Sequence, residues 1–187
     1  MIILASNSPR RKKLLEDAGV EFKVVSLNVD EAVEERMRPD KMVLFLAEKK
    51  AKAVFELNPD DIIIAADTIV VYEGQELGKP KDEEDAYRML KMLSGNHHEV
   101  YTGVCIMSKD KQVCFHTLAE VWMNDYNDLQ IYEYIKTKEP MDKAGAYAIQ
   151  GLGKELVEHY SGDFFTIVGL PLKQLLTELR TFTNKEE

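Results

Sequence analysis

The sequence predicts an α/β domain whose sheet is built around one strand buried on both faces. Three observations carry this. The apolar run Ile2-Ile3-Leu4-Ala5 leads at once into a helix, with Ser8 placed to cap it and Pro9 in its first turn. The run Ile62 to Val71 is apolar at both alternations apart from Asp67-Thr68, the pattern of a strand covered on two sides. Amphipathic helical stretches then alternate with strand-like ones along the rest of the chain.

Composition narrows the function. The chain has 187 residues, 45% of them hydrophobic and 30% charged, which suits a single domain with a substantial core and room for two lobes. A net charge of -9 and a sequence pI near 5.1 argue against a general binder of nucleic acid or anionic membrane. A small, highly charged anion remains compatible with local basic clusters. There is no signal-peptide pattern and no apolar run near the ~20 residues that span a bilayer, so a cytoplasmic protein is expected. Cys105 and Cys114 give no disulfide framework. They could face each other across a hairpin turning near Lys109-Asp110, and in a cytosolic protein reduced core cysteines are the expectation.

In chain order, Ser6-Asn7-Ser8 breaks the first strand. Leu14, Leu15 and Ala18 give the following helix its apolar face, and Gly19 ends it. Its first turn carries Arg10-Arg11-Lys12-Lys13. Each cation at a helix N-terminus is unfavourable by roughly 0.3–1 kcal/mol, so the run makes sense if an anion sits among these groups. Free N–H groups, two serine hydroxyls and two guanidinium forks describe a phosphate cradle; a solvated basic patch is the alternative. Phe22, Val24 and Val25 suggest a second strand, and Asn28-Val29-Asp30-Glu31 a loop rich in oxygen ligands; Glu31 to Pro39 is an acidic, exposed stretch in which Glu31 alone carries little signal.

A helix from Pro39-Asp40 to about Glu56, capped by Asp40, repeats Val43, Leu46, Ala47, Val54 and Phe55 at helical spacing, with Lys49, Lys50 and Lys52 near its middle. Asn58-Pro59-Asp60 stops it. Asp67 then falls inside the central strand. A carboxylate there costs several kcal/mol unless it is paired, hydrogen-bonded or metal-bound, which marks it as a functional candidate over a merely structural one. Glu73-Gly74 is a hairpin turn, and Leu77-Gly78-Lys79-Pro80 returns from it, able to aim Lys79 into the cleft that holds Asp67.

Asp82 caps a helix with Glu83, Glu84 and Asp85 in its first turn and Met89, Leu90 and Leu93 inward. Glu99 to Lys109 and Gln112 to Met123 read as long strands, with Trp122 in the core. His97, His98 and His116 lack a repeated ligand spacing, and a zinc site is rejected. Asp125 starts a helix carrying Leu129, Ile131, Tyr132 and Ile135, closed by Glu139-Pro140. The small residues of 142–151 bring backbone close to a neighbour, and Gln150 offers a donor and an acceptor for a base edge; an Ala/Gly-rich packing strand is the other reading. Glu155 to Tyr160 and Phe164 to Val168 suggest a hairpin around Ser161-Gly162-Asp163. Gly169-Leu170-Pro171 opens a last helix with Leu172, Leu175, Leu176 and Leu179 inward, and a polar tail runs from Thr183 to Glu187.

No GxxxxGK[ST] loop is present, so P-loop chemistry is unsupported. Glu31 and Asp67 are hard oxygen ligands suited to Mg²⁺ or Mn²⁺, which bridge phosphates. A carboxylate near such an ion can orient and deprotonate water for in-line attack on phosphorus, with lysines and arginines stabilising the charge that develops. The residues alone thus lead to a metal-assisted hydrolase or binder of a nucleotide-like polyphosphate.

Read together, the pieces resemble the Maf family of nucleoside triphosphate pyrophosphatases, also called septum formation inhibitor proteins. The resemblance runs through LASNSPRR at the N-terminus, VDE at 29–31, LAEKKAKAV at 46–54, AADTIV at 65–70, LGKP at 77–80, LSG followed by HEVYTGV at 98–104, DKAGAYAIQG at 142–151 and VGLPL at 168–172. Each piece is short; their number and order make the match specific over nearly the whole chain. It implies one Maf-like domain over 1–187, with a mixed, strongly bent sheet flanked by helices and a cleft between two lobes, similar to the inosine triphosphate pyrophosphatases. It also implies cleavage between the α- and β-phosphates with a divalent metal, and a homodimer. By motif match Asp67 takes the proton-acceptor role, and Arg10, Thr68 and Gln150 fall at specificity positions. Ser6, Ser8, Arg11, Lys50 and Lys79 line the phosphate path, while Glu31 is a metal or water ligand. The AIQG form resembles the subgroup acting on dTTP and UTP, with modified pyrimidines among the candidates. Asn96-His97 departs from the Arg and bulky residue common in the family. The competing expectation is a non-catalytic, nucleotide-binding regulator of cell division.

Overall fold

The computed structural model describes residues 1–33 and 36–183. Part of the acidic 31–39 stretch and the tail beyond Thr183 lie outside the described residues. The strands form a mixed sheet in the order β2-β1-β3-β5-β6-β7, with β4 paired to β3. Helices flank it, as the sequence predicts. The chain divides into two compact units. The first comprises Met1–Asp67, Thr102–Thr117 and the chain from Gly169 onward; the second comprises Thr68–Tyr101 and Leu118–Val168.

In the first unit, β1 (Ile2–Leu4) runs parallel to both β2 (Lys23–Val24) and the start of β3 (Ile62–Tyr72), with Leu4 opposite Val24 and Ile64. Helix α1 (Pro9–Asp17) begins as expected: Ser8 Oγ accepts the Arg11 N–H, and Pro9 stands in the first turn, where a missing N–H costs nothing. Helix α2 (Pro39–Phe55) departs from expectation at its start. Its N-cap is Arg38, whose side chain makes no cap bond, and Asp40 lies inside the first turn, 3.1 Å from the Arg38 guanidinium. Pro39 fixes that boundary, since proline favours the first helical position, and Asp40 complements the dipole from within.

Ile3, Ala5, Ala47, Ala51, Val54, Ile63, Ala65, Cys105 and Met107 form this unit's core. Its alanines let α2 lie close to the sheet. The closest approach is at Gly103, on β5 (His97–Met107), where a Cβ would run into the Val43 carbonyl. Cys105 meets Cys114, on β6 (Gln112–Met123), across the expected hairpin. The structure joins the pair as a disulfide, their Cα atoms 4.1 Å apart, in place of the two reduced thiols the sequence suggests. Helix α6 (Leu172–Thr183) buries Leu175 and Leu179.

In the second unit, the end of β3 pairs antiparallel with β4 (Gln75–Leu77) through Glu73 and Gly74, both with positive φ as a tight hairpin turn requires. Asp82 caps α3 (Glu83–Leu93), accepting the Asp85 N–H at 2.8 Å. Helix α4 (Asp128–Lys136) starts later than Asp125. Asn127 and Gln130 form a capping box there, which outweighs a lone aspartate upstream.

Strand β7 (Val157–Ser161) pairs antiparallel with β6, Trp122 opposite His159. The expected partner strand Phe164–Val168 is instead a short helix, α5. The Asp163 carboxylate accepts the Phe165 N–H and its carbonyl the Thr166 N–H, so capping overrides the β-propensity of Phe-Phe-Thr-Ile-Val. Trp122 is not core. It shares the outward face of β6 with Leu118 and Glu120, since the alternate residues Ala119, Val121 and Met123 are the buried ones, and it stacks on His159 with the His97 ring tilted against it. Residues 139–156 carry three short 3-10 turns, Glu139–Asp142, Ala144–Ala146 and Gly151–Leu156, with no strand at 142–151.

Candidate active site

The basic run after Ser8 divides by direction. Lys12 and Lys13 face outward and pair with Glu16 and Asp17 one turn on, so they are not part of a cradle. Arg11 turns inward. Its Nε donates to the Gly169 carbonyl at 2.8 Å and its Nη1 to Ser6 Oγ at 3.2 Å. Ser6 Oγ also accepts the Ser8 N–H at 3.2 Å. Both serine oxygens therefore act as acceptors toward their own loop, and each hydroxyl proton is left as a donor toward an anion. Burial pulls the Arg11 guanidinium below its ordinary pKa; Asp67 and Glu31 work against that, Arg10 with it. The arginine's surroundings thus favour further negative charge. Gly169, in the VGLPL stretch, holds Arg11 through a backbone carbonyl, which side-chain patterns do not reveal.

Asp67 is 7% exposed within β3, as its position in an apolar strand predicts. Its partner is Lys50, from the middle of α2: Nζ lies 2.7 Å from Asp67 Oδ1 and 2.8 Å from Glu31 Oε1. The close seating of α2 at Gly103 fixes the height from which Lys50 reaches the strand. Glu31, in the loop after β2, is brought to the same ammonium although it carries little signal in the sequence. Asp67, Glu31, Lys50, Arg11, Ser6 and Ser8 thus share the first unit.

Among the described residues no group of three or more His, Cys, Asp or Glu side chains could hold a metal ion by itself. Glu31 and Asp67 converge on one cation, the Lys50 ammonium. Two hard carboxylates around a cation position fit an ion that takes its remaining ligands from phosphate and water.

Thr68, Lys79 and Gln150 belong to the second unit. Thr68 is half-buried on β3, Lys79 is exposed in the turn after β4, and Gln150 is exposed ahead of the last 3-10 turn. Two of the sequence motifs meet here: the Gly145 N–H donates to the Gly78 carbonyl at 3.1 Å. A Cβ at Gly145 would press on Val70, and Gly145 has φ +72°, so only glycine suits this crossing. Two supports of this region carry no functional signal in the sequence. His98, treated only as a rejected zinc ligand, is buried and bonds Tyr147 at 2.6 Å. Glu139, treated only as a helix terminator, accepts backbone N–H groups from 152 and 153.

A family profile described as Maf-like protein matches residues 1–182. The chain is 50% identical to the dTTP/UTP pyrophosphatase of one Bacillus cereus strain, over 97% of its own length and 95% of that protein's. It is 51% identical to the protein of the same name from a second Bacillus cereus strain, over 97% of this chain and 89% of that one. Among solved structures, the Staphylococcus aureus Ham1 protein aligns over 98% of this chain and 99% of its own, with TM-score 0.51 and 15% identity, a likeness of fold.

Proposed function

The chain belongs to the Maf-like protein family, and we propose that it hydrolyses dTTP and UTP to the nucleoside monophosphate and pyrophosphate. The relatives that carry this activity in their names cover nearly the whole chain, which supports the reading. The observation that carries it is the Asp67 carboxylate, buried in an apolar strand and held 2.7 Å from Lys50 in the unit that also contains Arg11, Ser6 and Ser8. A buried carboxylate fixed by a lysine is pre-oriented, as a general base must be.

In this reading Asp67 takes a proton from water as the water oxygen attacks the α-phosphorus, and the bond to the bridging oxygen breaks to release pyrophosphate. Arg11, Lys50 and the two serine hydroxyls bind the phosphates and stabilise the charge gained by the leaving group. Arg10, Thr68 and Lys79 complete the contacts to the nucleotide. Gln150 presents a carboxamide that matches the donor–acceptor edge of uracil or thymine. Glu31 and Asp67 would hold a divalent ion, Mg²⁺ or Mn²⁺, which supplies charge neutralisation on the triphosphate. No described helix is long and apolar enough to cross a membrane. A cytoplasmic homodimer is part of the same reading.

The test is a panel of nucleoside triphosphates, modified pyrimidines included, assayed for pyrophosphate release with Mg²⁺ or Mn²⁺. dTTP and UTP are expected to lead, and Asp67→Asn to abolish release while nucleotide still binds. No release from any nucleotide would overturn the enzyme reading and favour the regulator.

A further inference from the structure

The turn that presents Gln150 is gripped by one carboxylate. Glu139 follows α4, at the head of a 3-10 turn. Its Oε1 accepts the Tyr134 hydroxyl at 2.8 Å and the Gly153 N–H at 2.9 Å, and its Oε2 accepts the Leu152 N–H at 3.1 Å. The Tyr134 hydroxyl in turn accepts the Ala148 N–H at 3.1 Å. Gln150 therefore sits between two anchored points, Ala148 before it and Leu152-Gly153 after it, and both lead back to Glu139.

The local sequence is shaped to this clamp. A Cβ at Gly151 would stand 2.8 Å from Glu139 Oε2, and Gly151 has φ +68°; a Cβ at Gly153 would stand 2.5 Å from the Tyr134 hydroxyl. Bulk at Gly151 would expel the carboxylate, and bulk at Gly153 would collide with the Ala148 carbonyl, 2.3 Å away, as well as with the tyrosine. An ionised carboxylate is acceptor-only, which matches three donors facing it. Burial raises the Glu139 pKa, but the Tyr134 hydroxyl and the Gly153 and Leu152 amides lower it further, Lys143 adding to them, so the group lies below its ordinary value and stays charged.

We propose that Glu139 is the positioning residue of the base-reading turn, fixing Gln150 so that its carboxamide discriminates uracil and thymine from other bases. The inference rests on the reading of Gln150 as the group that meets the base. Glu139 itself touches no substrate. Its contribution is a preorganised turn, which lowers the ordering cost of nucleotide binding.

The test is a double-mutant cycle: kcat and KM for UTP, dTTP and CTP in the wild type, Glu139→Gln, Gln150→Ala and the double variant, with thermal unfolding of each. Glu139→Gln keeps the size but turns one acceptor into a donor facing N–H and O–H groups. It is expected to raise KM for UTP and dTTP about tenfold and to narrow the preference over CTP by a similar factor. Its kcat should stay within about twofold of wild type. In the Gln150→Ala background the same change should move KM less than about twofold. Tyr134→Phe, which removes the hydroxyl that joins Ala148 to Glu139 but leaves the carboxylate on Leu152 and Gly153, should show the same pattern more weakly, and it carries the test if Glu139→Gln does not fold. If Gln150→Ala raises KM while Glu139→Gln acts equally in both backgrounds, or lowers only kcat and the unfolding temperature, the proposal is overturned and the base-reading role stands. If Gln150→Ala leaves KM and base preference untouched, the base-reading role is wrong and the proposal falls with it.

Discussion

The Lys50 ammonium stands 2.7 Å from the Asp67 carboxylate, a helix-borne cation set against an acid in the middle of an apolar strand. Both groups are mostly buried, with side-chain exposures of 20% and 11%. Breaking such a pair from one side leaves an uncompensated charge, which costs about 3–5 kcal/mol when burial is complete. Residual exposure, and Glu31 being released at the same time, place Lys50→Met toward the lower end, at about 3 kcal/mol. Urea unfolding of this variant should show that loss, and pyrophosphate release should fall at least about a hundredfold if Lys50 also stabilises transition-state charge. Lys50→Met with wild-type stability would mean that the pair adds nothing to the fold.

Stability should fall in acid through His98. Burial, with His97 nearby, pushes its pKa down from 6.5 to about 3. It is therefore neutral in the folded protein, bonded to Tyr147, with its Nδ1 unpartnered. The tautomer protonated at Nε2 donates to the tyrosine oxygen and leaves only a lone pair unmatched at Nδ1. The unfolded chain binds a proton at this residue below pH 6.5 and the folded chain does not until about pH 3. Its contribution is thus fully present above pH 6.5 and is lost at about 1.4 kcal/mol per pH unit as pH falls through that window. Urea midpoints of the wild type and His98→Gln, compared from pH 7.5 to 4.5, should converge as acid is added. Parallel curves would show that His98 is not kept neutral.

How far the sequence reveals this molecule depends on the range of the interaction. Ser8, Pro9 and Asp82 announce helix starts because capping is settled within three residues. Asp67 announces itself because a charge in an apolar strand breaks a pattern. The failures share the opposite cause. Trp122 reads as core by type, yet its face of β6 is decided by which neighbours are covered. Phe164–Val168 reads as strand by propensity, yet Asp163 caps it into a helix. Glu139 and Gly169 act through backbone groups distant in sequence, and no residue pattern encodes such partners.

Gly103 gives a prediction that tests how α2 is seated. A Cβ there would collide with the Val43 carbonyl, which belongs to helix backbone and cannot rotate aside. Gly103→Ala should therefore push α2 off the sheet at a cost of about 3 kcal/mol, as overpacking of a tight contact does. Because α2 also carries Lys50, the same displacement should lower kcat. Thermal unfolding and steady-state rates measured together would check both; an unchanged unfolding temperature would show that the helix stands further from β5.

Arg11→Lys asks whether charge alone suffices at the head of α1. The guanidinium reaches two acceptors at once, the Gly169 carbonyl through Nε and Ser6 Oγ through Nη1. A lysine keeps the charge, but its single ammonium has no planar fork with which to hold both. One acceptor would be left without its donor, at about 1–2 kcal/mol. Ser6 also accepts the Ser8 N–H, so the hydroxyl that loses the guanidinium is the one that shapes the loop before the helix. The expected outcome is a modest loss in urea stability together with a KM for UTP raised about tenfold. A variant with wild-type KM would show that the first turn binds phosphate as a simple cation and that the geometry around Arg11 is dispensable.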